Sequence, residues 1–383
     1  MLAVILALNL LLGERALGSP EVTRLASEWQ QRSKGVTYAP PTTHTRAFKI
    51  LRLADRLPEI NGVVLGSSTL MGIPEGLFAP PLRIYNFSLT ANPTASITAE
   101  AEYIARRHGD RVRWMLVGLD WPIGMIYYDF EVPNFSLSRD QADAHAAPRD
   151  VALHRKLADA LSYPRVLNLA KALRHVVTAP DPVANFRGTF LEVAGPEYRC
   201  AEGVPARDYD VVNRGLCLGF RYDGSWTFGG EKRLTAQRSA VLARAAAAPS
   251  SKFSRFLCQS RGEPNREYLD RLAAVAQRQA VSGGTVLFYL PPLIPGMERY
   301  MMEVPQSKAC LDRTRDVLAG WARAQGITVI DAGQSERYGC QPGEFLDEHH
   351  AYPDCHARVF ERYRRDAAAG RAGPGIYRAE EGK

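Results

Sequence analysis

The sequence has no Cys-x-x-Cys pair, no internal repeat and no low-complexity block beyond short alanine runs. That sets aside repeat architectures, which would show a fixed period. Lys and Arg are scattered, with no long basic run and no nucleic-acid motif. Nucleic-acid binding is therefore set aside, although the net charge is +7. Such a charge permits contact with anionic polymers or membrane surfaces without demanding it. The one long apolar run, Leu2 to Leu12, is interrupted by Asn9 and is too short for a transmembrane span.

That run fits the apolar core of a signal peptide or a clipped membrane anchor (1–18), although no basic residues precede it. Residues 19–45 are polar and rich in Pro and Thr, as a tether would be. Export to the periplasm or cell surface, with the N-terminus on the cytoplasmic membrane, is the expectation. A buried N-terminal helix is the alternative. Six cysteines make an even number. In an oxidising compartment they can pair, with Cys200–Cys217 and Cys340–Cys355 as local candidates. Six unrelated thiols are the other reading.

Hydrophobic residues make up 46% and charged residues 23%, so a globular fold is expected. Phe48, Leu51, Leu53, Ala54 and Leu57 mark an amphipathic helix over 46–57. Strands are expected at 62–65, 83–87, 112–119, 285–290 and 327–330. Helices are expected between them, at about 93–108, 267–280, 306–324 and 354–366. Asn92-Pro93 reads as a cap and first helical residue. Between 122 and 265 the alternation lapses. Helical patterns fall at 151–161, 165–177 and 231–248, and a hairpin at 220–228 turns on Asp223-Gly224. Five strands alternating with helices predict an α/β fold, a three-layer α/β/α sandwich around a mainly parallel sheet. The core would comprise 46–121 and 266–370, with 122–265 as a large insertion and 371–383 as a mobile tail.

Two stretches carry chemistry. Gly66-Ser67-Ser68-Thr69 ends the first strand, where a parallel sheet places its ligand site. Asp347-Glu348-His349-His350 lies in a loop beyond the last expected strand, on the same sheet edge. An Asp three residues before a His can accept from the imidazole Nδ1–H. That leaves Nε2 as a base toward Ser67 or Ser68.

These stretches, with two others between them, resemble the SGNH (GDSL-like) serine esterases and acyltransferases. Gly66-Ser67-Ser68-Thr69 matches the nucleophile turn, which puts the nucleophile on Ser68. Asn86-Phe87-Ser88-Leu89-Thr90-Ala91 resembles the second block, with Ala91 at the place of the oxyanion-binding glycine and Ser88 beside it. Gly118-Leu119-Asp120 resembles the Gly-x-Asn block, and Asp347 to His350 is the Asp-x-x-His block. The resemblance implies a flavodoxin-like SGNH fold and a Ser68–His350–Asp347 triad without a cofactor. Asp120 stands where the family has the Asn that donates to the oxyanion. Either Asp120 points elsewhere, or it is protonated, or the oxyanion relies on the backbone N–H groups of Ser68 and Ala91.

The Gly-Ser-Ser variant, the apolar N-terminus and the long insertion are similar to one branch. It contains membrane-anchored proteins like the teichoic-acid D-alanine transfer protein and the alginate O-acetylation proteins. That implies an acylated glycan as substrate and a membrane-bound O-acyltransferase as partner.

Each feature has a plainer reading. Gly-Ser-Ser-Thr can be a helix cap. His349, His350, His356, Cys355 and Asp347 are crowded, but fit no zinc spacing, so no metal is expected. His349 and His356 read as surface or supporting residues. Tyr127, Tyr128, Tyr222, Trp226 and Phe228 read as core or cross-strand pairs. Trp121, following the third strand, is the aromatic expected at the site. Two functions remain: a serine esterase or O-acyltransferase, and a non-catalytic glycan-binding component of a polysaccharide-modifying complex.

Overall fold

The computed structural model describes residues 20–32, 34, 45–90, 92–119, 218–228, 233–258 and 263–380, with isolated positions at 7 and between 170 and 183. In chain order the elements begin with helices α1 (Pro20–Arg32) and α2 (Thr45–Arg56), strands β1 (Gly62–Leu65) and β2 (Ile84–Asn86), helix α3 (Thr94–Arg107) and strand β3 (Trp114–Gly118). Strands β4 (Leu218–Phe220) and β5 (Trp226–Phe228) follow, then helices α4 (Ala236–Ala247), α5 (Lys252–Cys258) and α6 (Arg266–Val281). The chain continues through β6 (Thr285–Leu290), α7 (Met297–Met302), α8 (Pro305–Gln325), β7 (Thr328–Asp331), α9 (Pro353–Ala368) and β8 (Gly375–Tyr377).

The chain divides into two compact units, one of residues 1–56 with 136–229, the other of 57–135 with 230–383. In the first, the β4–β5 hairpin packs on α1 and α2. Phe220 stacks on Phe48 of α2 and meets Trp226 edge-on. Tyr222 lies beneath the Arg56 guanidinium, 4.2 Å from ring to cation. Tyr222 and Trp226 are thus packing residues. The loop between Phe220 and Trp226 is longer than the two-residue turn Asp-Gly predicts, with Gly224 at φ 80°. Two expectations change here. The segment expected as a tether contains α1, and α2 groups with the hairpin rather than with the large sheet.

The second unit is built on a six-stranded sheet in the order β2-β1-β3-β6-β7-β8. Every pairing in it is parallel. Its strands are short apolar runs buried on both faces, as a parallel sheet requires. Successive strand residues point to opposite faces. Phe288 packs edge-on against Trp321 of α8, whereas Tyr289 packs on His356 and Phe360 of α9. Helices therefore cover both faces. Trp321 also donates its indole N–H to the Leu269 carbonyl of α6. Gly326 closes α8 in the left-handed region, at φ 66°, where a Cβ would be strained.

Among the described residues the parallel sheet has six strands, not the expected five. The sixth, β8, lies in the segment expected to be a mobile tail. Two ion networks hold it. Asp366 accepts from Arg362, Arg371 and the Tyr377 hydroxyl. Arg378 reaches Glu298 at 2.9 Å and Asp331 at 3.2 Å, and Arg315 bridges the same two carboxylates. Burial and the neighbouring Asp331 raise the Glu298 pKa, and the two arginines hold Asp331 low against its burial.

Among the described residues there are two disulfides, Cys258–Cys310 and Cys340–Cys355. The second joins the pair expected from spacing. The first links α5 to α8 across 52 positions, which spacing did not suggest. Cys200 and Cys217 lie outside the described residues, as do most of the helical patterns expected at 151–177. Among the described residues no helix is long and apolar enough to cross a membrane. The apolar run at 2–12 falls almost wholly outside them.

Candidate active site

The candidate site lies at the carboxyl ends of the parallel strands. After β1 the chain enters a 3₁₀ turn, Ser68–Leu70, capped by Ser67. Ser67 is buried, accepts from the Thr69 N–H at 3.4 Å and lies 3.2 Å from the Thr69 hydroxyl. Its oxygen is committed to the turn. Ser68 is half-buried, and its hydroxyl faces away toward the loop after β7. The choice between the two serines is thus made by local geometry.

Close packing of glycines sets this turn. A Cβ on Gly66 or on Gly118 would sit 2.9 Å from Leu70 Cδ2, and Gly118 lies against the Cα of Gly66. The ends of β1 and β3 and the side chain of Leu70, two residues after Ser68, occupy one close-packed spot. Asn86 at the end of β2 donates to the Leu70 and Ile73 carbonyls at 2.8 and 2.9 Å, fastening the turn from the other side.

The base comes from farther away. Two strands, β3 and β6, stand between β1 and β7, so the loop after β7 must reach across about 14 Å at the usual strand spacing. It does so as a braced strap. The Ser335 hydroxyl donates to the Leu293 carbonyl at 2.6 Å, and the Ile294 N–H donates to the Glu348 carbonyl at 3.0 Å. Leu346 N–H donates to the His350 carbonyl, and Tyr352 N–H to that of Glu344. Gln341 and Glu344 form a capping box, and Glu344 also pairs with Arg358 of α9. Cys340–Cys355 closes the base of the strap.

At its tip, His350 Nδ1 lies 2.7 Å from Asp347 Oδ2, and His350 Nε2 lies 2.8 Å from Ser68 Oγ. The other oxygen of Asp347 accepts the backbone N–H groups of His349 and His350 at 3.0 and 2.9 Å. Burial opposes ionisation of Asp347. The hydrogen bond and charge of His350, the charge of His349 and the His349 N–H outweigh it and hold the carboxyl well below the usual range. With Asp347 an ionised acceptor, His350 carries its proton on Nδ1, and Nε2 can accept from the serine. Both ring nitrogens of His350 are engaged in this chain. His349 stacks on His350 and meets Phe253 of α5.

The remaining expected site residues stand as follows. Ala91, Asp120 and Trp121 lie outside the described residues. Ser88 is wholly buried, and its backbone N–H donates to Asn86 Oδ1 at 2.9 Å, so it offers that donor to its own strand end. Asn92 does not cap α3. Its amide donates to the Gly66 carbonyl at 3.3 Å and to the buried carboxylate of Glu100 at 3.0 Å. It thereby ties α3 to the residue preceding the two serines. His356, read as a surface or supporting residue, is fully buried.

Comparison of the chain with family models, curated proteins and solved structures finds no match.

Proposed function

We propose that the protein is an extracytoplasmic serine esterase or O-acyltransferase, acting on acyl groups, acetyl foremost, of cell-envelope or secreted polysaccharide. The observation that carries this reading is the chain Ser68–His350–Asp347, with both hydrogen bonds within 2.8 Å. The order of the four sequence blocks that resemble SGNH enzymes supports it. So does the presence of two disulfides, which suit an oxidising compartment.

In the proposed reaction, Ser68 Oγ attacks the carbonyl carbon of an ester and His350 Nε2 takes its proton. Asp347 holds the imidazole in the required tautomer and stabilises the imidazolium. The proton then passes from His350 to the departing alkoxide, leaving an acyl-serine. Water or a sugar hydroxyl, deprotonated by the same nitrogen, attacks the acyl carbon, and His350 returns that proton to Ser68 Oγ as the acyl–serine bond breaks. The Ser68 N–H donates to no acceptor among the described residues, which suits a backbone donor to the oxyanion.

Asp120 at the third block favours a second reading, a glycan-binding component that has lost catalysis. Labelling with a fluorophosphonate separates the two. Stoichiometric labelling that disappears in Ser68→Ala supports the enzyme, and folded protein that takes no label leaves the binding component. Incubation of the labelling-competent protein with an acetyl ester and an oligosaccharide acceptor then distinguishes transfer from release.

A further inference from the structure

The proposed chemistry uses His350 and leaves a second histidine beneath the nucleophile turn without a role. His356 lies in the first turn of α9, has no exposed surface, and directly follows Cys355 of the strap's disulfide. Its Nδ1 is 3.0 Å from the Tyr289 hydroxyl of β6. Its Nε2 is buried and has no hydrogen-bond partner among the described residues, and the Thr69 backbone is the polar group that acts on the ring besides Tyr289. Thr69 immediately follows the proposed nucleophile. Burial drives the His356 pKa down to about 3, so the ring is neutral at ordinary pH, and burial likewise keeps Tyr289 a protonated phenol.

A neutral imidazole has one donor and one acceptor nitrogen. A phenol that donates to Nδ1 leaves the proton on the unpartnered Nε2, available to the Thr69 backbone. We propose that His356 is a positioning residue for Ser68: its ring, set by Tyr289, clamps the Ser68–Leu70 turn to the same helix that anchors the His350 strap. This inference rests on the reading of Ser68 as nucleophile. The ring would keep serine and base in register, since one helix end fixes both. It touches neither substrate nor the reacting atoms. A displacement of about 1 Å in such a register can cost about 100-fold in rate.

The test compares His356→Gln, whose amide can still donate to Thr69, with His356→Phe, which fills the space and cannot. The expected result in the full chain is a fall in kcat of about 10- to 100-fold for His356→Phe on a p-nitrophenyl ester, with KM unchanged. His356→Gln should recover most of the loss. Tyr289→Phe, which removes only a hydroxyl, should give a smaller fall and serves if His356→Phe does not fold. Hydrogen exchange at the Ser68–Met71 amides reads the clamp without catalysis, and should quicken in His356→Phe and Tyr289→Phe but not in His356→Gln. Equal exchange in all variants overturns the proposal, as does a Gln variant as impaired as the Phe variant. Absence of ester turnover in the wild type, with exchange behaving as expected, would remove the enzyme reading and leave the clamp standing.

Discussion

Ser68 and His350 are 282 positions apart in the sequence and 2.8 Å apart across the site. Each arrives by a different device. Ser68 is placed by a strand end packed so tightly that Gly66 and Gly118 leave no room for a Cβ beside Leu70. His350 is placed by a strap fixed to the loop after β6 and to α9. The relationship predicts a sharp difference between adjacent serines. Ser68→Ala should abolish ester hydrolysis and covalent labelling while leaving thermal stability unchanged. Ser67→Ala should keep its label and lose about 1 kcal/mol of stability, the usual worth of such a cap. Denaturant titration and labelling on the same samples check both, and a Ser67 variant that cannot be labelled would move the nucleophile.

Asp347 offers a second test. Asp347→Asn preserves the shape of the contact at 2.7 Å but presents an amide to the ring. The amide nitrogen can donate to Nδ1 and favour the proton on Nε2, which then cannot accept from Ser68. A loss on the order of 10⁴ in kcat is expected from the wrong tautomer. Because the Asp347 carboxyl is held below its usual range, it stays ionised well into acid. Its depressed pKa contributes stability that is complete above about pH 3.9 and fades only as pH falls below that value. Wild type should therefore keep its stability advantage over Asp347→Asn at pH 5 and lose part of it at pH 3, as measured by urea unfolding at the two values; an advantage that does not shrink at pH 3 would contradict the assignment.

The five apolar strands were legible because a buried parallel strand is a short unbroken apolar run between turn residues. The strand Gly375-Ile376-Tyr377 was not, because three residues carry no period and its hold comes from Asp366 and Arg378. The Asp347–His350 pair was legible because its partners are three residues apart. The burial of His356 was not, because Tyr289 lies 67 positions away and nothing local marks the ring as buried. Asn92 misled for a related reason. Asn before Pro is a good cap, but here the Gly66 carbonyl and Glu100 compete for its amide and win.

The tail provides a third prediction. Arg378 is the second cation on a buried pair of acids, Glu298 and Asp331. Removing one partner of a buried ion pair costs about 3–5 kcal/mol, and the partial exposure of Arg378 lowers that toward about 2. Arg378→Ala should therefore reduce the midpoint of urea unfolding clearly, and truncation after Gly370 should reduce it further by removing β8. Arg378→Met, which keeps the bulk without the charge, should be no more stable than Arg378→Ala. A truncated chain as stable as the full one would show that β8 is dispensable.

The two disulfides should separate activity from stability. Cys340–Cys355 closes a loop with a sequence separation of 15, and Cys258–Cys310 one of 52. Loop-closure entropy gives about 3 and about 4 kcal/mol respectively, so the longer loop should matter at least as much to stability. The shorter one closes the strap that carries His350, whereas the longer one reaches His350 only through Phe253 and His349. Paired Ser variants at 340 and 355 should lower kcat severalfold at temperatures where the protein is still folded. The 258 and 310 pair should lower the melting temperature with kcat unchanged. Equal effects on kcat would mean that the strap's hydrogen bonds alone hold the base.

Acid should expose the cost of the buried histidine. The His356 pKa falls from 6.5 to about 3 on folding, so below pH 6.5 the unfolded chain binds a proton that the folded chain refuses. Stability tied to this group is complete above the unfolded value and is lost as pH falls toward the folded one, by about 1.4 kcal/mol per pH unit. Urea unfolding of wild type and His356→Gln at pH 7, 6, 5 and 4 measures it, because the other titrating groups are common to both. Wild type should lose stability faster than the Gln variant from pH 6 downward, the two curves converging or crossing before pH 4. Parallel curves would mean that His356 takes up its proton in the folded protein, and that its neutral ring is not what faces Thr69.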